Sequence, residues 1–252
     1  MNQFIFNDYQ FSYFIGVLPL IAIWLLIFLL RKDLRKEMLS ISIMFGIAGL
    51  LSEPIYAYDW WKPLTITNTT IGIEDFLFGF TVAGISSSIY LFLTKKKLVG
   101  HRKFLVFHEK EYMGKNKFRF WAEALSIATL FFVSFFVLKL HSFWASLIAI
   151  LIPTFYIWYK RPDLILDSLL SGFIIVLVAI VGSFWFSELI TPGWVDHTWL
   201  WDNLSGYVIA KAPLEDIIWF FITGLLIAPY YAYWQDLDIK SNSKHWWKRL
   251  KF

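Results

Sequence analysis

Seven stretches of this chain are apolar and long enough to cross a bilayer, and nothing else in it limits the fold so strongly. They run at about 12–30, 39–58, 71–94, 121–140, 144–160, 165–189 and 213–234, against the roughly 20 mostly apolar residues that a spanning helix needs. Inside lipid each backbone N–H and C=O must be satisfied within its own segment, so such stretches fold as helices. Composition agrees: 58% of the residues are hydrophobic and 17% charged, below the roughly 25% charged of soluble domains. The expected fold class is all-α, an integral multi-pass membrane protein of seven transmembrane helices.

The basic residues orient the bundle. Arg31, Lys32, Arg35 and Lys36 follow the first stretch, a run from Lys95 to Arg119 follows the third, and Lys160 and Arg161 follow the fifth. Lys240, Lys244, Lys248, Arg249 and Lys251 fill the tail, while the alternate loops hold only Lys62, Lys139 and Lys211. By the positive-inside rule the N-terminus is expected outside and the C-terminus in the cytoplasm. The net charge of +4 then reports orientation and attraction to anionic membrane lipid, with no nucleic-acid partner expected. No cleavable signal is expected, because the first basic cluster follows the first apolar run. Cysteine is absent, which removes disulfides, thiolate metal sites and cysteine nucleophiles.

Landmarks recur in the same order in the two halves. Each half has a proline in its first helix (Pro19, Pro153) and then a basic turn, Arg31-Lys32-Asp33-Leu34 or Arg161-Pro162-Asp163-Leu164. A glutamate follows near the outer end of the second helix (Glu53, Glu188), and the third opens on an acidic pair, Glu74-Asp75 or Glu215-Asp216. Three-helix units would alternate in direction, so the fourth helix restores it and makes the repeat parallel. The expected plan is 3+1+3: residues 1–94 and 144–234 as the repeats, 95–119 as a basic cytoplasmic loop, 120–143 as the linking helix and 235–252 as a basic tail.

With that topology the six acids converge toward the outer leaflet. Acids inside spanning helices are costly and mark functional sites by default. No Arg or Lys lies in the apolar part of these helices, so the cluster is not cheaply ionised throughout and is expected to hold protons at neutral pH, an acid–base arrangement. A plainer reading treats each pair as first-turn acids on a helix dipole, with Pro213 at the first helical position. It fails for Glu53 and Glu188, which sit near C-termini where the dipole opposes an acid. Trp219 and Phe220 share a helix face with the second pair and Phe78 with the first, at three- and four-residue spacings. They are candidate substrate-binding residues, since aromatic faces stabilise a carbocation. The loop residues Trp60, Trp61, Trp194, Trp199 and Trp201 read as an interfacial aromatic belt. The five histidines lack paired ligand spacing and no Gly-rich nucleotide fingerprint is present, so neither metal nor cofactor is expected.

Pro213-Leu214-Glu215-Asp216 resembles the Pro-x-Glu-Glu/Asp signature of the non-flavin lycopene cyclases, membrane enzymes that occur as paired subunits or as one fused chain. The first copy has Gly72 where that signature has proline. The resemblance extends through both halves and the Glu53-Pro54-Ile55-Tyr56 stretch. It implies a multi-pass protein, here read as one of a prokaryotic cell membrane, that converts lycopene to γ- or β-carotene by proton-initiated, non-redox ring closure. On that resemblance Glu215 is expected as proton donor with Glu74 as its counterpart. Asp216 and Asp75 tune or accept the proton, and Glu53 and Glu188 complete the network. The implied partners are lycopene, membrane lipid, and a second copy or other carotenoid enzymes. A small parallel-repeat carrier of the SWEET type is the alternative, although carriers bind near the midplane. A retinal photoreceptor needs a lysine in the seventh helix, and none lies between Pro213 and Trp234.

Overall fold

The computed structural model describes residues 9–100 and 109–241. Residues 101–108 of the basic loop after the third span, and the basic tail from residue 242, lie outside the described residues, as do His101, His108 and His245, while the loop's 96–100 form a strand and its 109–119 are helical. Seven spans are long and apolar enough to cross a membrane, and each falls within a few residues of its expected position. They are α1 (Ser12–Leu30), α2 (Arg35–Asp59), α3 (Ile73–Leu93), α4 (Glu109–Phe132, which runs on as a π-helical turn Val133–Val137) and α5 (Ser142–Lys160). The sixth is composite: α6 (Ile165–Ala179), a π-helical segment Ile180–Trp185, and α7 (Phe186–Ile190). A short α8 (Trp194–Thr198) lies in the following loop, and α9 (Leu214–Gln235) is the last span.

The two helices that open on acidic pairs, α3 and α9, are the most enclosed, and they pack on each other. Around them α1 and α2 wrap α3, while α5 and α6 wrap α9. In lipid no water drives helices together, so close backbone approach between small residues does much of that work. A Cβ on Gly224 of α9 would lie 2.6 Å from the Cα of Gly172 on α6, and one on Gly79 of α3 would collide with the Phe45 carbonyl of α2. By contrast α4 is the least buried span and presents most of its surface outward.

The end of the bundle opposite the acidic pairs is closed twice by one device. The Arg31 guanidinium forks onto Asp33 at 2.9 and 2.8 Å and donates to the carbonyls of Leu91 and Lys96. Arg161 forks onto Asp163 at 2.8 and 2.7 Å and donates to the Leu237 carbonyl at 2.8 Å. A planar guanidinium suits this bidentate geometry as a lysine ammonium does not, and it holds the Asp33 carboxyl below the ordinary carboxylate range. The segments so tethered, β1 (Lys96–Gly100) and β4 (Leu237–Ser241), pair antiparallel with Lys96 opposite Ser241. At the other end β2 (Val208–Ile209) and β3 (Ala212–Pro213) form a small hairpin into α9. These two ladders are the strand content of the described residues beyond an otherwise helical chain.

Overpacking the α6–α9 contact gives a direct check. Gly224→Ala should cost about 1–3 kcal/mol and lower the unfolding temperature in detergent. Gly100→Ala, whose Cβ would meet nothing within 4 Å, should leave it unchanged.

Candidate active site

Glu74 and Asp75 are the second and third residues of α3, as Glu215 and Asp216 are of α9. Neighbouring side chains on a helix point about 100° apart, so the two acids of a pair cannot serve one face. The glutamates turn to the loops. Glu74 Oε1 accepts the Ile66 N–H at 2.7 Å, and Glu215 Oε1 accepts the Ser205 N–H at 2.7 Å. Both are buried, and each ties down the segment that leads into its helix. The aspartates turn inward and line a cavity of about 320 Å³. Glu53 of α2 lines it too, whereas Glu74, Glu188 and Glu215 do not. Glu188 accepts the N–H groups of Gly193 at 3.1 Å and Val195 at 2.8 Å, which makes its carboxyl the acceptor at the N-terminus of α8. Of the six acids expected to converge, three therefore meet at the cavity and three hold backbone around it.

A single residue separates the two aspartates. At α3 the Gly72 N–H donates to Asp75 Oδ2 at 2.7 Å, half of a capping box. At α9 the corresponding residue is Pro213, which has no N–H to give. It stands at the N-cap, one position before the first helical residue Leu214, where the first helical position itself was expected. Asp216 thus lacks the N-cap donor that Asp75 has, and its Oδ2 accepts from Trp199 Nε1 at 2.6 Å and Trp60 Nε1 at 3.4 Å. Those indoles come from loops at opposite sides of the sequence, which Asp216 joins. Gly72 has its own reason: a side chain there would run into the Glu74 carboxylate and the Thr65 side chain. The proline of the second motif does not fit the first unless Glu74 moves.

Asp75 lies within hydrogen-bonding range of both the Glu53 carboxyl and the Tyr13 hydroxyl. Yet Glu53 Oε1, Asp75 Oδ1 and the Tyr13 hydroxyl have no well-directed partner. Two adjacent carboxyls of this kind are unfavourable when both are ionised, because the pair is then both repelled and poorly solvated. Among the described residues no Lys, Arg or His lines the cavity to relieve them. The rest of the wall is largely aromatic. Phe78 stacks on Trp219 with centroids 6.1 Å apart and meets Phe220 edge-on at 5.8 Å, so the three rings singled out by spacing do share the cavity. Trp60, Trp194 and Trp199 are 3%, 2% and 4% exposed and line it as well. They are a lid over the acids, where a surface belt was expected. Loop closure brings them inside, with Trp61 bridging backbone to Trp199.

Other participants carried no signal of spacing. Asp59, His141 and Asn203 clasp three loops above the lid: His141 Nε2 contacts the Asp59 carbonyl at 2.8 Å, and Asn203 Nδ2 donates to the same oxygen at 3.0 Å. The Tyr56 hydroxyl and Ser146 Oγ pair at 3.1 Å inside the cavity. Glu37 and Asp167, in the first turns of α2 and α6, and Glu123 of α4 are buried acids away from the cavity lining. Among the described residues no group of three or more His, Asp or Glu side chains is arranged to hold a metal ion.

A family model described as lycopene cyclase matches residues 9–93 and 141–234, most of the chain, and α4 lies between the matched segments. No curated protein and no solved structure matches the chain.

The division between loop-holding and cavity-lining acids can be read from hydrogen exchange. A hydrogen bond to a charged acceptor contributes about 1.5–3 kcal/mol, so Glu215→Ala should speed amide exchange around Ser205 by about tenfold or more. Asp216→Asn, which removes no backbone acceptor, should leave those amides at the wild-type rate.

Proposed function

The chain belongs to the lycopene cyclase family, and from that premise we propose that it is a lycopene β-cyclase, acting on a linear carotenoid inside the membrane. One observation carries the reading: three carboxyls from three helices open into a single aromatic-walled cavity in which no described residue places a cationic side chain. That is the environment in which a carboxyl stays protonated beside an ionised one and works as an acid.

In this reading the aspartates, with Glu53, take the acid–base roles that the resemblance implied for Glu215 and Glu74. Asp216 gives its proton to the terminal double bond of the substrate, leaving a tertiary cation. The two indole N–H groups on Oδ2 then stabilise the aspartate anion at the moment it forms. The next double bond attacks the cation, a carbon–carbon bond closes the six-membered ring, and the charge moves onto the ring. The faces of Trp219, Phe78 and Phe220 lower the energy of that cation electrostatically. The Glu53–Asp75 pair, holding one proton between two carboxyls, removes a ring proton and sets the final double bond. One proton is added and one lost, so product and substrate are isomers and no redox partner enters. Glu74, Glu215 and Glu188 keep the lid loops in place around the chemistry.

The membrane setting follows the same premise. A multi-pass protein of carotenoid biosynthesis is supported by the family and by the seven apolar spans. We read the acid end as the outer one, the chain as one of a prokaryotic membrane, and the halves as a parallel repeat. The matched Arg31–Asp33 and Arg161–Asp163 turns support the repeat.

Pigment analysis in a bacterium that accumulates lycopene tests the assignment. The wild-type chain should convert lycopene to γ- or β-carotene. Removal of a general acid costs about 10²–10⁴ in rate, so Asp216→Asn should abolish visible ring formation. Glu215→Gln keeps an oxygen for the Ser205 N–H and should retain activity within about tenfold. The opposite pattern, with Asp216→Asn active and Glu215→Gln inert, returns the donor role to Glu215.

A further inference from the structure

The cavity is not closed on all sides. Its wall includes residues on the outer, lipid-facing surface: Leu51 of α2 is 68% exposed and Phe132 of α4 is 46% exposed, and both line the cavity. Ala48 of α2 is exposed and lines it as well. The void therefore breaks the surface between α2 and α4. The packing explains why. α2 lies tightly on α3, and α4 lies on α5, but α2 and α4 make little backbone contact with each other. Their ring contacts, Tyr56 with Phe131 at 5.8 Å and Tyr58 with Phe135 at 6.1 Å, sit toward the acid end. Farther from that end the facing positions carry Ala48, Ala124 and Ala128, too small to fill the gap.

Size gives the opening a use. A cavity of about 320 Å³ is at the small end of ligand sites. It takes one end of a linear polyene but not a chain about as long as the bilayer is thick. The remainder has to leave the cavity, and the gap between α2 and α4 opens onto apolar surface within the spans. Continuity with the carboxyl-lined end also orients the molecule: the end group reaches Asp216 while the tail stays in the gap.

We propose that the cleft between α2 and α4 is a lateral portal through which a linear, apolar polyene enters from the lipid, end first, and in which its unreacted tail rests. This rests on the cyclase reading for its substrate. It gives α4, the span that the family model leaves unmatched, the task of forming one wall of the portal.

The test separates entry from chemistry. Lycopene is achiral, so a circular dichroism band in its visible absorption arises only when a chiral site binds it. Protein in liposomes is mixed with lycopene-loaded liposomes, in the Asp216→Asn background so that no product forms, and the growth of that band is followed. Leu51→Trp and Phe132→Trp narrow the mouth without reaching the acids, and each should slow the band at least fivefold. Leu125→Trp, at a position on α4 that is 60% exposed and outside the cavity lining, should load at the parent rate. Loading of both rim variants at the rate of Leu125→Trp, with protein levels equal, overturns the portal, as does the absence of any band in the parent. A slowed band in the rim variants, alongside a wild-type chain that makes no rings, keeps the portal and rejects the cyclase reading.

Discussion

Carboxyls at a cavity where no described residue supplies a cation set the terms for this structure. Taking such groups out of water costs several kcal/mol each unless hydrogen bonds or protons compensate. The chain meets that cost by giving the acids different donors. The buried Glu74 and Glu215 and the half-buried Glu188 take backbone N–H groups from the loops, which sets the cost of desolvation against the anchoring of a lid. Asp216 takes two indole N–H groups, and Asp75 takes the amide of its own N-cap. Once those donors are assigned, Glu53 Oε1 and Asp75 Oδ1 are among the carboxyl oxygens left over, and both residues line the cavity.

The two halves are alike in outline and unlike at the point where chemistry is proposed. A proline N-cap forces Asp216 to look beyond its own helix for partners, and it finds them in two lid tryptophans. A glycine N-cap lets Asp75 cap its helix and leaves one of its oxygens for Glu53 and Tyr13. The difference follows from a single missing N–H and from the room that Glu74 occupies beside Gly72. It supplies what an acid–base reaction needs from a repeated fold, two carboxyl sites in different states.

Much of this was legible in the sequence, and the part that was not has a common cause. Apolar run length placed all seven spans, because the bilayer imposes one length on every helix. The acidic pairs, Glu53 and the ring faces of Phe78, Trp219 and Phe220 were visible as costly residues or regular spacings, and the cavity brings most of them together. Which acid of each pair faces inward was hidden. It depends on the rotation of α3 and α9, and therefore on glycine contacts with α2 and α6. The partners of Asp216 were hidden as well, since Trp60 lies far away in the chain and the tryptophan-rich loops read equally well as a membrane belt. Glu188 was read as part of the acid network because α8, whose N-terminus it caps, is a five-residue turn that no periodicity announces. Contacts made by loop closure leave no local pattern.

The central claim is that ring closure starts with a proton from a cavity carboxyl and involves no redox step. Its most direct test is a single turnover of lycopene by the membrane-embedded protein equilibrated in D₂O, with the product analysed by mass spectrometry. The account predicts one deuteron in each new ring, carried on the carbon protonated at the start. A cyclised product without that deuteron would contradict it, because the initiating hydrogen would then have come from somewhere other than an exchangeable carboxyl.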